Sequence, residues 1–60
     1  MPDLLPITIV EMIREAEREL RLRRRVYPTR VAAKQMSQPT ADRQIELMEA
    51  IIAQLYKANG

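Results

Sequence analysis

The chain has no cysteine, no histidine, no phenylalanine and no tryptophan, and its single glycine is the last of its 60 residues. Each absence removes a class of answer. Without Cys there is no disulfide framework, a common staple of chains this short. Without Cys or His the ordinary zinc-binding sets are missing, and so are the commonest general base and the thiol nucleophile. A lone terminal Gly leaves no glycine-rich phosphate loop. No stretch approaches the roughly 18 consecutive apolar residues of a membrane span. Residues 1–7 carry Asp3 and no basic residue, so a secretory n-region is also lacking. The expectation is a cytoplasmic protein of one domain (1–60), not an enzyme, with no catalytic, cofactor-binding or metal-ligating residues.

What remains for building a core is Ile, Leu, Val, Met and Ala, with Tyr27 and Tyr56 the only aromatics. That palette suits helix-on-helix packing, with Met filling gaps. A chain of 60 residues buries only about 60% of the surface its unfolded form exposes. With disulfides and zinc excluded, oligomerisation or very good helix packing is left to stabilise it.

Two helical patterns stand out. Pro2 and Pro6 keep residues 1–7 extended, an apolar strap carrying Leu4, Leu5 and Ile7. Thr8 and Glu11 then have the spacing of a capping box, with Ile7 placed to staple onto Met12. Ile9, Ile13, Ala16, Leu20 and Tyr27 fall on one helical face, interrupted by Arg23. Pro28 disfavours helical geometry at Tyr27, which predicts a first helix over 9–26 and a Tyr27-Pro28 corner. A short helix over 29–35 follows. Ser37 is placed as an N-cap, with Pro39 tolerated in the first turn, for a last helix over 38–57. Its stripe, Ala41, Ile45, Met48, Ile52 and Leu55, has a 4-3-4-3 spacing. Leu47, Ile51 and Tyr56 widen that arc beyond what one partner helix covers. The expected fold is therefore all-α: a helical hairpin of two long helices with a short middle helix, assembling into a dimeric four-helix bundle through Leu47, Ile51 and Leu55.

The net charge is only +2, but the charges are segregated. Asp3, Glu11, Glu15, Glu17 and Glu19 outweigh Arg14 and Arg18 in the first twenty residues. Arg21, Arg23, Arg24, Arg25, Arg30 and Lys34 then follow with no acid among them. Part of this cluster is accounted for by compensation of the first helix's dipole and by ion pairs, Glu17 with Arg21 and Glu19 with Arg23. The rest would form a positive patch at one end of the hairpin, fit for phosphate or for an acidic protein surface. The carboxylate pairs Glu11/Glu15, Glu15/Glu19 and Glu46/Glu49 share their faces with Arg14, Arg18 and Arg43 and read as solvated surface. An alternative is a helix-turn-helix over Val31–Leu47, with Gln38, Thr40, Arg43 and Gln44 facing base edges. Against it, the turn has no Gly and the recognition helix is about twice the usual length.

Met12-Ile13, Glu17-Arg18-Glu19, Arg23-Arg24-Arg25-Val26-Tyr27-Pro28, Met36-Ser37-Gln38, Ala41-Asp42, Ile45 and Met48-Glu49-Ala50-Ile51-Ile52 together give a resemblance. The block from Glu11 to Leu55 resembles a family of short proteins encoded in phages and prophages of proteobacteria. The family pattern would place an aromatic at Arg30 and a Gly near Lys34 or Gln35, and this chain departs from it there. The family has no established activity and supplies no functional residues. It implies a phage accessory role: a protein-protein interaction module that binds and redirects or inhibits a host protein, including a defence component. The alternative from the residues is a dimeric nucleic-acid-binding protein, regulatory in role, acting through the helix-turn-helix or the Arg cluster.

Overall fold

The computed structural model describes residues 6–60. Of the N-terminal strap, Met1–Leu5 lie outside the described residues. The chain is all-helical, with α1 at Ile9–Ala32 and α2 at Gln38–Asn59 packed against each other and no strand among the described residues. The helices run antiparallel. Tyr56, near the end of α2, meets Glu17 near the start of α1, and Arg24 meets Glu49.

The start of α1 follows its local chemistry. The Thr8 hydroxyl accepts from the Glu11 amide at 3.1 Å, and the Glu11 carboxylate accepts from the Thr8 amide at 3.3 Å, so the capping box closes. The staple does not close, because Ile7 remains 74% exposed. At α2, the Ser37 hydroxyl caps the Thr40 amide at 3.2 Å, and Pro39 sits in the first turn. Gly60 ends the helix, its amide donating to the Tyr56 carbonyl.

The end of α1 corrects the expected boundaries. The helix does not stop at Val26; it runs through Pro28 to Ala32. Residues 29–32 are its last turn rather than part of a separate short helix, and Tyr27 is a helical residue rather than a corner. Proline lacks only its own amide, so a helix crossing it loses one bond and strains the carbonyl four residues back. Here the turn beyond Pro28 brings compensation. It sets Val31 four residues after Tyr27 on the inward face, where it is half-buried, and places the Arg30 guanidinium 6.0 Å from the Tyr27 ring centroid.

The helix then closes with a Schellman motif. The Gln35 amide reaches back to the Arg30 carbonyl at 2.8 Å and the Lys34 amide to the Val31 carbonyl at 3.0 Å, with Lys34 at φ 60. This reverses the chain within the segment 33–37.

The inward stripe of each helix is the expected one. Ile13, Ala16, Ala41 and Met48 are buried, while Ile9, Leu20, Tyr27, Ile45, Ile52 and Leu55 are half-buried around them. This is a seam between two helices, not an enclosed core. The molecule is 13 Å through its thinnest dimension, about the diameter of one helix with its side chains. No helix among the described residues is long and apolar enough to cross a membrane.

Candidate functional site

Arg23 interrupts the apolar stripe of α1, and the structure shows why that is tolerated. Its guanidinium donates to the Gln44 backbone carbonyl on α2 at 2.8 Å and to the Glu19 carboxylate at 2.9 Å. With the head so held, the side chain is only 21% exposed. Arg24 bridges to Glu49 across the helices at 2.6 Å. Two members of the expected basic end are thus cross-links of the hairpin. Arg30 lies over Tyr27 beside the turn, Lys34 holds the left-handed position within it, and both are exposed.

Arg21 and Arg25 behave differently. Both are exposed and make no ion pair among the described residues; the expected Glu17–Arg21 pair does not form, because Glu17 accepts from the Tyr56 hydroxyl at 2.7 Å. At about 100° per residue they fall in line with Arg14 and Arg18 on the edge of α1 turned away from α2. The four arginines form a stripe with 4-3-4 spacing. Arg18 pairs with Glu15, and the Arg18 hydrogen bond and charge hold the Glu15 carboxyl below its ordinary range. The spacing is present in the sequence, but it lies outside the apolar period that marks the helix and is split between the acid-rich first twenty residues and the basic segment after them.

The residues considered for base contact are placed differently from a helix-turn-helix. The Gln38 amide donates to Asp42 at 2.8 Å, the Thr40 side chain accepts from the Ser37 hydroxyl, and Gln44 is half-buried at the seam. Arg43 is exposed beside Glu46. Val31 and Ala32 belong to the last turn of a helix of 24 residues, with Ala33 its C-cap, and α2 packs antiparallel to that helix instead of crossing it. The first helix of a helix-turn-helix is therefore not formed.

The two flanks of the hairpin contrast. On one, Glu17 to Tyr56 and Arg24 to Glu49 close the gap with polar bridges. The hydrogen bond to Glu17, aided by partial desolvation and the carboxylate charge, raises the Tyr56 phenol above its ordinary pKa. On the other flank, helical spacing places Met12, Leu22 and Val26 of α1 beside Leu47, Ile51 and Leu55 of α2. Leu47 is 41% exposed and Ile51 48%, and with Leu55, Ala50 and Ala58 they line a shallow apolar groove. Leu55 is half-buried, so of the three residues expected to self-associate, Leu47 and Ile51 are the more available.

Among the described residues no group of three His, Cys, Asp or Glu side chains is arranged to hold a metal ion. Comparison with models of protein families, with curated proteins and with solved structures returns no match.

Proposed function

We propose that this chain is a non-enzymatic interaction protein that works as a homodimer. Two hairpins stack through their apolar flanks into a four-helix bundle. In the cytoplasm of a bacterial host the dimer acts as a phage or prophage accessory factor, binding and inhibiting or redirecting a host protein.

One observation carries the self-association: the molecule is a single layer of two helices whose one flank is sealed by polar bridges and whose other flank leaves Leu47 and Ile51 exposed. Stable domains bury a helix face against a second layer, and a second copy is the simplest source of one. The accessory role is supported by the resemblance over Glu11–Leu55 and by the lack of residues suited to catalysis.

Mass in solution tests the assembly. A dimer is expected at micromolar concentration, and Ile51→Glu should return it to monomer by placing a charge in the interface. A wild-type chain that stays monomeric at that concentration would sink the proposal. Co-purification from host lysate treated with nuclease tests the second half, since a specific protein should remain bound after nucleic acid is removed.

A further inference from the structure

No arginine of the stripe on the outer edge of α1 bonds to α2 among the described residues. Dipole compensation acts within the last turn of a helix. Because α1 continues to Ala32, Arg21 and Arg25 lie about three and two turns short of its end, beyond the reach of that effect. Arg14 with Arg18, and Arg21 with Arg25, are like charges four residues apart, an arrangement that opposes the helix. Of the four, only Arg18 has an ion-pair partner among the described residues, and Arg14, Arg21 and Arg25 are left without one.

We infer that Arg14, Arg18, Arg21 and Arg25 form a binding surface for the phosphate backbone of duplex nucleic acid, read without regard to sequence. The stripe is straight and convex, about 16 Å long from Arg14 to Arg25, and matches a linear array of charge better than a pocket-bound ion. Its members are all arginine, whose planar fork fits phosphate oxygens. Protein interfaces instead place apolar and aromatic residues at their centre and deplete charge there, whereas here four arginines run along the edge with Glu11, Glu15 and Glu17 alongside. The stripe faces away from α2, with Met12 and Leu22 of the apolar flank at its border.

The test is fluorescence anisotropy with a duplex DNA of unrelated sequence, titrated between about 50 and 200 mM salt. Binding should weaken along a linear log–log dependence, as counterion release requires. Arg21→Gln with Arg25→Gln should lower affinity at least tenfold and flatten the salt slope by about 0.9 for each phosphate no longer neutralised. Arg21→Lys with Arg25→Lys should restore most of the binding, because it keeps the charge. Arg43→Gln with Lys57→Gln removes the same charge from α2 and should change affinity less than threefold. All three double variants sit at exposed positions, and unchanged far-UV circular dichroism would show that the helices are retained. No binding at 50 mM salt, equal losses in the two Gln variants, or equal binding to poly-glutamate would each overturn the inference.

Discussion

Among the described residues, Lys34 is the one outside glycine with a positive φ, where the backbone carries strain. Its φ of 60 is the left-handed geometry that a Schellman motif requires one position past the C-cap. A side chain there costs on the order of 1 kcal/mol relative to glycine. Lys34→Gly should therefore raise the denaturation midpoint, with a gain of about 1 kcal/mol before the added freedom of the unfolded chain reduces it. Tyr56 makes a prediction at the same scale. Its phenol proton is retained above the ordinary range by the Glu17 carboxylate, so the folded pKa is raised over the unfolded one. The stabilisation is complete below the unfolded pKa of about 10 and is lost as pH rises through the folded value. Alkaline titration followed by phenolate absorbance should show Tyr56 ionising late, and Glu17→Gln should move it back toward its ordinary value.

At the scale of the element, α1 is a helix whose length is decided by packing against local preference. Pro28 removes one hydrogen bond and crowds the Arg24 carbonyl, yet the turn beyond it buries part of Val31 and sets the cap geometry that reverses the chain. If the helix continues for those reasons, Pro28→Ala should stabilise it, by up to about 3 kcal/mol, with a small rise in helical circular dichroism. A drop in helicity would mean that Pro28 itself shapes the turn. The bridge from Arg23 to Gln44 belongs to this scale as well, because it locks the register of α1 on α2 with a backbone carbonyl as its anchor.

For the whole molecule the governing fact is thinness. Among the described residues, Ile13, Ala16, Ala41 and Met48 are the side chains the two helices bury, and so small a core is marginal by itself. If a second hairpin supplies the missing layer, apparent stability follows mass action and the thermal midpoint should rise with protein concentration. Ile51→Glu should abolish that dependence while leaving residual helix, whereas Met48→Glu, a charge in the seam, should unfold the hairpin itself. A midpoint that is independent of concentration in the wild type would contradict the dimer.

The sequence alone determined the helical class, both N-caps and the inward stripes, because each depends on residues within a few positions of one another: Thr8 with Glu11, Ser37 with Thr40, and a repeat of three and four. Of the uses of the arginines, the Glu19–Arg23 pair was legible there, but the contacts across the hairpin were not. Arg23 finds its partner 21 positions away and Arg24 finds Glu49 25 positions away, distances that no local rule spans. The end of α1 was a contest between the local restriction at Pro28 and the burial of Val31, and only the packed hairpin settled it. That outcome fixed the meaning of the basic segment. Once the helix passed Pro28, Arg21 and Arg25 ceased to be end charges and became part of an open stripe along its outer edge.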